Sequence, residues 1–186
     1  MNICEESYRR FIDGEESAFD DIIDAYNESL IFFIHRYVHN LDAAEDLAED
    51  CFVELIVHPH RYNFKVSLKT YLFTVARNKS VDYIRHNSAL QMFPLDEETD
   101  KSVAYEGFEN KVLCDERHRA IHRALGSMKE NLRTVIHLIY FEGLSNDEVG
   151  KIMGKSRKQV ENLAYRARNE LRAILTEEGW NDEGQN

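Results

Sequence analysis

The most restrictive feature of the sequence is a pair of helix-start signals separated by a single helix-ending glycine. Ser145 and Glu148 have the spacing of a capping box, in which the hydroxyl and the carboxylate each accept a hydrogen bond from a free backbone N–H group. Gly154 suits the left-handed conformation that ends a helix, and Ser156 and Gln159 repeat the capping-box spacing just after it. The pattern predicts a short helix, a tight turn and a longer helix, which together make a helix-turn-helix.

The second helix of this motif divides its side chains between an apolar and a basic face. Its inward positions are predicted to be Val160, Ala164, Ala167 and Leu171. The first turns of such a helix reach base edges in the major groove, whereas later cations suit phosphates. The predicted base-reading side chains are Arg157, Lys158, Gln159, Glu161 and Asn162, and the predicted phosphate contacts are Arg166 and Arg168. The alternative is a basic helix face that is simply solvated.

Apolar residues at helical spacing predict further helices and place the chain in the all-α class. The first helix is predicted over 18–38, with one face made of Ile22, Tyr26, Leu30, Phe33 and Tyr37. The second is predicted over 43–57, before Pro59, with inward positions Leu47, Cys51, Phe52 and Leu55. The third is predicted over 67–85, with inward positions Leu68, Leu72, Val75, Ala76 and Ile84.

Between the two helical blocks the periodicity fades, acidic residues collect and Pro94 interrupts the chain. We therefore predict two small helical domains, residues 1–88 and 114–176, joined by a flexible acidic linker over 89–113. An acidic tail is predicted over 177–186. The second domain begins with a further apolar face, made of Leu132, Val135, Ile136 and Ile139.

Charge is distributed unevenly along the chain, whose net charge is −11 at pH 7. Residues 1–60 carry 3 basic and 15 acidic side chains. Residues 61–86, the first basic island, carry 6 basic and 1 acidic, and residues 155–173, the second basic island, carry 6 and 2. Neutralisation of phosphates supplies most of non-specific DNA affinity, so a chain this acidic should bind duplex DNA weakly by itself. A partner should have to bring the two islands to DNA.

The first basic island interleaves aromatic rings with its cations. The rings are Tyr62, Phe64, Tyr71, Phe73 and Tyr83. Such a pattern suits single-stranded DNA, because bases stack on rings while the backbone follows positive charge. The alternative is that the rings belong to the core, which we expect for Phe73 and consider for Tyr83.

The acidic helical segment over 42–54 carries a run of carboxylates on its outer faces: Asp42, Glu45, Asp46, Glu49, Asp50 and Glu54. Runs of this kind usually form a solvated face. The alternative is a docking surface for a basic partner.

The sequence offers little for metal or catalytic chemistry. Cys114, His118 and His122 share a face of one predicted helix and could begin a zinc site, but a fourth ligand is lacking, so we expect no metal and no cofactor. Motifs typical of phosphate-binding loops, nucleophile elbows and metalloproteases are missing from the sequence. Three widely spaced cysteines and short apolar runs predict free thiols in a cytoplasmic protein without a membrane span.

Two ordered sets of motifs resemble the extracytoplasmic-function group of the sigma-70 family of RNA polymerase sigma factors. The segments similar to sigma region 2 are residues 40–52, 58–62 and 67–78, with Asp82 and Arg85. The segments similar to sigma region 4 are residues 140–154, Val160 and residues 165–168. The resemblance, which covers about residues 18–176, implies a protein that binds core RNA polymerase, recognises minus-ten and minus-thirty-five promoter elements and helps to open the DNA.

The resemblance also implies roles for individual residues. Those implied to dock on core polymerase are Glu45, Asp46, Glu49 and Asp50. Those implied to contact minus-ten DNA are Lys69, Tyr71, Arg77, Asn78, Lys79 and Arg85, with Asn78 at the pocket for a flipped base. Residues 156–168 match the helix that reads the minus-thirty-five element. Such a protein is expected to perform no catalysis itself and to be restrained by an anti-sigma factor.

Four positions depart from the usual pattern of this group. Val66 replaces a frequent glycine, Tyr71 a frequent tryptophan, Glu49 the usual glutamine and Glu161 a frequent basic residue. A competing interpretation is an autonomous helix-turn-helix regulator, which would bind duplex DNA tightly by itself. An anti-sigma or adaptor protein would leave the basic recognition helix unexplained.

Overall fold

A computed structural model describes residues 3–90, 116–177 and 179 of the chain. Its backbone contacts divide the chain into two units, residues 1–104 (unit 1) and 105–186 (unit 2). All regular structure in the described ranges is helical, which confirms the all-α class and the two helical domains. The predicted linker, from residue 91 onward, and nearly all of the predicted tail lie outside the described residues, so their boundaries stay predictions.

The described part of unit 1, residues 3–90, is a bundle of four helices with two short 3₁₀ turns. The helices are α1 Ile3–Ile12, α2 Asp20–Val38, α3 Leu41–Val57 and α4 Leu68–Leu90, and the 3₁₀ turns are Glu16–Phe19 and Pro59–Arg61. The sequence pattern did not predict α1. Helix α3 begins before residue 43 because the side chain of Asn40 accepts a hydrogen bond from the backbone of Ala43 at 2.8 Å. Helix α4 continues past Arg85, into the segment predicted as linker.

The core of unit 1 contains most of the residues predicted to face inward. The predicted stripe of α2 is buried throughout, as are Leu55, Leu68 and Leu72 on the two helices that pack against it. Leu47, Val75 and Ile84 are only partly buried, because they lie at the borders of their buried helix faces. Phe73 is completely buried, as expected for a core ring.

The described residues of unit 2 form four helices, of which the last two make the predicted helix-turn-helix. They are α5 Glu116–Ser127, α6 Glu130–Ile136, α7 Asn146–Met153 and α8 Arg157–Glu177, with a π-helical turn His137–Phe141 after α6. Leu132, Val135 and Ile136 are buried as predicted. Ile139 is only half-buried, because the backbone N–H of Glu142 bonds to the carbonyl of His137 and the wider turn changes the register of the apolar face.

The thiols of Cys4 and Cys51 are free and buried, and burial raises the pKa of Cys51 to about 12. Among the residues that the structure describes, no cluster of histidine, cysteine and carboxylate side chains could hold a metal ion. Cys114 and the side chains of His118 and His122 lie outside the described part. The described helices include none with both the length and the hydropathy needed to cross a membrane.

Candidate nucleic-acid and polymerase interfaces

Both capping boxes of the helix-turn-helix are formed. The backbone N–H of Ser145 donates to the Glu148 carboxylate at 2.9 Å, and the Ser145 hydroxyl accepts from the backbone of Glu148 at 3.4 Å. The backbone N–H of Ser156 donates to Oε1 of Gln159 at 2.8 Å, and the Ser156 hydroxyl accepts from the backbone of Gln159 at 3.3 Å. These bonds fix the starts of α7 and α8 at the residues that the sequence predicted.

The turn between α7 and α8 requires two glycines. Gly154 ends α7 in the left-handed region, at φ 63°. A Cβ on Gly150 would lie 2.6 Å from the backbone oxygen of Lys155, far inside contact distance. Gly150 was not among the residues predicted to shape this turn. The signal available was a glycine inside a predicted helix, where glycine is unfavourable unless backbone must approach closely.

Helix α8 presents its polar face to solvent. Val160, Ala164 and Ala167 are buried against the rest of unit 2. All seven predicted DNA contacts are exposed: Arg157, Lys158, Gln159, Glu161, Asn162, Arg166 and Arg168. The structure thus leaves this face free for a ligand, and the roles of the individual side chains stay predictions.

Arg157 is held between two carboxylates at the start of this face. Its Nε donates to Glu161 at 2.9 Å, and its Nη1 lies 3.3 Å from a carboxylate oxygen of Asp147 on α7. The hydrogen bond to Glu161 and the charge of Asp147 raise the pKa of Arg157. In the free protein the positive charge of Arg157 is therefore largely balanced, which lowers the attraction of this turn for phosphate.

Two other polar side chains of α8 have partners within unit 2. Oε1 of Gln159 accepts the capping hydrogen bond, so one of the two lone pairs with which it could accept from adenine is already used. Nη1 of Arg168 donates to the hydroxyl of Tyr140 at 3.0 Å. Tyr140, Phe141 and Tyr165 are large exposed aromatic residues that the sequence analysis did not identify.

In unit 1, α4 divides the six predicted minus-ten contacts between different sides. Tyr71, Asn78 and Arg85 are spaced seven residues apart and therefore form one stripe, the Tyr71 stripe. The heptad spacing leaves the other three, Lys69, Arg77 and Lys79, off this stripe. Lys69 lies over the buried ring of Phe73, at 5.8 Å from its centroid. The structure thus brings together only half of the predicted set.

The aromatic rings of the first basic island have different environments. Phe73 and Tyr62 are 0% and 3% exposed, so neither ring can stack on a base in this conformation. Phe64, Tyr71 and Tyr83 are partly exposed. The ring of Tyr71 lies against Tyr62, with 5.2 Å between centroids, and partial burial raises its pKa. Of the five rings, the structure therefore buries two, Phe73 as expected and Tyr62, and leaves three partly exposed.

The carboxylates of α3 also divide into two groups. Glu45, Asp46 and Glu49 are exposed and make no ion pair with any residue that the structure describes. Asp50 pairs with Lys79 of α4 at 3.2 Å. Glu54 is partly buried and pairs with Arg61. Two of the acidic residues thus neutralise cations of the first basic island.

Exposed apolar side chains lie next to the carboxylates of Glu45, Asp46 and Glu49 along α3. Val53, Ile56 and Val57 are 50%, 46% and 59% exposed. At helical spacing they continue the side of α3 that carries Glu45 and Glu49. We call the combined surface the α3 outer face: Glu45, Asp46, Glu49, Val53, Ile56 and Val57. Its apolar half was not predicted, although helical spacing places Val53, Ile56 and Val57 on the side of α3 opposite to the predicted inward residues.

Two family models match the chain. Sigma-70 region 2 matches residues 22–89, which include α3 and nearly all of α2 and α4. Sigma-70 region 4 matches residues 118–171, which include the helix-turn-helix. Together the two models match well over half of the chain, in the order of the two units.

Curated relatives are similar along most of their length. The chain is 28% identical to the extracytoplasmic-function RNA polymerase sigma factor SigW of Bacillus subtilis over 172 residues, covering 87% of this chain and 91% of that protein. It is 25% identical to the RNA polymerase sigma factor YlaC of the same organism, covering 84% and 91%. CarQ, an RNA polymerase sigma factor of Myxococcus xanthus, is 28% identical, covering 90% and 95%.

Solved structures share the fold. CnrH, in complex with the cytosolic domain of CnrY, has a TM-score of 0.67 at 20% identity, covering 94% of this chain and 98% of that one. The sigma factor RpoE of Bartonella quintana, in complex with the anti-sigma factor NepR, has a TM-score of 0.64 at 21% identity, covering 85% and 96%. With both family models and these relatives, the chain belongs to the extracytoplasmic-function group of the sigma-70 family, whose members direct RNA polymerase to promoters at the initiation of transcription.

Proposed function

We propose that this sigma factor contacts promoter DNA through two surfaces and core RNA polymerase through a third. The exposed face of α8 reads the minus-thirty-five element in the major groove, with Lys158 and Asn162 at base edges and Arg166 at phosphates. Arg157 joins them when its carboxylate partners release it.

The Tyr71 stripe contacts the melted minus-ten element. The partly exposed ring of Tyr71 stacks on an unpaired base, and Asn78 supplies the donor and acceptor that a flipped base requires. Arg85 lies further along the same stripe, where it suits the strand backbone. Lys69, Arg77 and Lys79 act from beside the stripe, as general positive charge.

The α3 outer face docks on core polymerase. Its carboxylates are suited to a basic partner, and its apolar half supplies surface that association removes from water. We place Asp50 at the edge of this surface, because its charge is already balanced by Lys79. Polymerase, which acts in the cytoplasm, performs the chemistry.

The proposal depends on which charged side chains have an ion-pair partner within their own unit. Arg157 and Lys79 have carboxylate partners within their own units, whereas Glu45, Asp46 and Glu49 make no ion pair among the described residues. Balanced cations weaken binding to DNA by the chain alone, whereas unbalanced carboxylates favour a basic protein partner. This distribution fits a subunit that reaches DNA only after docking, and it does not favour an autonomous regulator.

Gel-shift and run-off transcription assays with and without core enzyme test the proposal. The DNA is a promoter that the reconstituted holoenzyme selects from duplexes of randomised sequence. We expect sequence-specific binding and transcripts only when core enzyme is present. Equal binding of the duplex by the chain alone would contradict the proposal.

The docking surface is tested with a matched pair of charge reversals. Asp46→Arg places a cation in the α3 outer face and should strongly reduce co-purification with core enzyme. Asp24→Arg makes the same change at an exposed position of α2 and should leave co-purification unchanged. If both variants co-purify with core enzyme as well as the unmodified chain does, the α3 outer face is not the docking surface.

We also propose that an anti-sigma factor restrains this protein. The support is the shared fold with a sigma factor of Bartonella quintana that was solved in complex with its anti-sigma factor.

A further inference from the structure

Helix α1 lies outside the span that the region 2 model matches, yet its contacts converge on one loop. The loop is residues 58–67, which joins α3 to α4. The hydroxyl of Tyr8 donates to the backbone oxygen of Leu55, in the last turn of α3, at 2.9 Å. A carboxylate oxygen of Glu5 accepts from the backbone N–H of Leu68, the first residue of α4, at 3.3 Å. Helix α1 therefore bonds to both helix ends that border the loop.

These two bonds satisfy backbone groups that the helices themselves leave open. The carbonyl of Leu55 would bond to the N–H four residues later, but that residue is Pro59, which has none. Tyr8 is completely buried, so its hydroxyl replaces the missing donor in a place closed to water. The N–H of Leu68 belongs to the first turn of α4, where a carboxylate is favoured by the helix dipole.

Helix α1 also contacts the middle of the loop. Phe64 has φ 60°, in the left-handed region that bulky residues rarely adopt. The guanidinium carbon of Arg9 lies 4.3 Å from the centroid of the Phe64 ring, and the ring of Tyr62 lies 4.6 Å away on centroids. Both contacts oppose relaxation of the loop to an ordinary backbone conformation.

A series of rings connects α1 to the Tyr71 stripe. The centroid of Tyr8 lies 5.5 Å from that of Tyr62, and Tyr62 lies 5.2 Å from Tyr71. The hydroxyl of Tyr62 donates to the backbone oxygen of Val66 at 3.0 Å, which ties this ring to the loop. The inner side of the Tyr71 ring thus rests on a ring whose own position depends on Tyr8.

We infer that α1 is the support that sets the shape of the 58–67 loop and the position of the Tyr71 ring, so that Tyr8 and Arg9 are positioning residues for promoter opening. The opening role depends on the proposed function of the Tyr71 stripe, whereas the support of the loop does not. Glu5 and Tyr8 hold the ends of the loop, and Arg9 holds its middle.

Arg9 gives the sharpest test, because it is exposed and its change should leave the core of unit 1 intact. Arg9→Ala removes the contact with Phe64. Arg10→Ala is the matched control, since it removes the same charge from the next residue of α1, whose partners are Glu15 and Asp21 and not the loop. Arg9→Lys keeps a cation near the ring and should therefore retain part of the support that Arg9→Ala removes.

Amide hydrogen exchange of the free full-length chain measures the support directly. For Arg9→Ala we expect exchange in the 58–67 loop and the first turn of α4 to be roughly two- to fivefold faster, which is the range that loss of an exposed cation–π contact corresponds to. Arg10→Ala should exchange like the unmodified chain. Equal exchange in the loop for the two variants would overturn the inference.

Run-off transcription with core enzyme measures the opening role, on duplex promoter DNA and on the same DNA with a pre-opened minus-ten region. Arg9→Ala should reduce transcripts from the duplex roughly two- to fivefold, the factor expected for hydrogen exchange. The reduction on pre-opened DNA should be much smaller, and the affinity for core enzyme should be unchanged. An equal loss on both templates would overturn the opening role. If even the unmodified chain gives no core-dependent transcripts, the proposed function fails, and hydrogen exchange still decides whether α1 supports the loop.

Tyr8→Phe provides a second variant that keeps the ring and removes only the hydroxyl. It should speed exchange at the last turn of α3 and in the loop more than Arg9→Ala does, because the bond that it removes is buried. Unchanged exchange there would remove Tyr8 from the support.

Discussion

The second basic island keeps its polar face on the surface of one helix, whereas the first is divided between a helix, a loop and the core. On α8, all seven predicted DNA contacts are exposed, and the partners of Arg157 and Gln159 lie within the same helix-turn-helix. In the first island, Tyr62 and Phe73 are buried, Lys79 pairs with α3 and Phe64 is covered by a cation from α1.

This difference follows from the range of the interactions that form each island. The helix-turn-helix depends mainly on caps and a turn whose partners lie a few residues apart, although Arg168 also bonds to Tyr140, 28 residues away. The first island depends on contacts such as Lys79 with Asp50, 29 residues away, and on a loop held by α1. We therefore expect changes in the second island to have local effects, and changes in the first to spread to the surfaces that dock on polymerase and open DNA.

The largest effect on stability is expected from a substitution at Gly150, where the turn of the helix-turn-helix depends on a close backbone contact. A Cβ at this position would meet the Lys155 oxygen at 2.6 Å, so Gly150→Ala should lower the stability of unit 2 by ~1–3 kcal/mol, the usual cost of overpacking. Native-state hydrogen exchange should show faster exchange in α7 and α8 and no change in α3 and α4.

Gly126→Ala is the control for this prediction. A Cβ on Gly126, near the end of α5, would have no atom within 4 Å. Its stability effect should therefore be neutral, or stabilising by up to ~1 kcal/mol, because alanine is the better helix former. Equal destabilisation by the two substitutions would show that the turn does not depend on the close approach at Gly150.

The same contrast explains which parts of the structure the sequence could predict. Ser145, Ser156 and Gly154 act on backbone groups within a few residues, so their spacing alone predicted the helix ends of the motif. Helix α1 could not be predicted in this way, because its inward residues Cys4 and Tyr8 are surrounded by charged neighbours.

The exposure of side chains was predictable on α8, where all seven predicted contacts are exposed, but not in the first basic island, where distant partners cover rings and pair with cations. The bond from Tyr8 to Leu55 spans 47 residues, and the bond from Leu68 to Glu5 spans 63. Composition predicted that rings and cations occur together in the first island. Only the packing of α1, α3 and α4 decides which rings are covered and which cations are neutralised.

Within the second island, Arg157 and Arg168 should differ in the kind of effect that they cause. If Arg157 reads a base edge once it is released, Arg157→Ala should cost ~1–3 kcal/mol of holoenzyme affinity at particular base pairs only. Arg168→Ala should weaken binding to all sequences alike and reduce the salt dependence. The measurement is the affinity of the holoenzyme for a set of single-base variants of the selected minus-thirty-five element.

The release of Arg157 can be tested separately. Asp147→Asn removes one of its two carboxylate partners and keeps the shape of the side chain. We expect this variant to bind all duplexes more tightly at low salt, because the charge of Arg157 is then less balanced. Unchanged affinity together with a loss on Arg157→Ala would mean that Arg157 reads its base while still paired.

The smallest effect is expected from the ion pair that connects the first island to the docking helix. Asp50 and Lys79 are 57% and 29% exposed at the side chain, so a double-mutant cycle with alanine at both positions should give a coupling of only ~0.2–1 kcal/mol in the stability of unit 1. The coupling should fall as salt is raised, since exposed pairs are screened. If polymerase approaches Asp50 in the holoenzyme, Lys79 loses its partner and becomes available to DNA. Asp50→Ala should then change the salt dependence of DNA binding by the free chain, in which the pair is present, but not by the holoenzyme. An equal change in salt dependence for the free chain and the holoenzyme would show that docking does not affect the Asp50–Lys79 pair. The first basic island would then respond to substitutions as locally as the second.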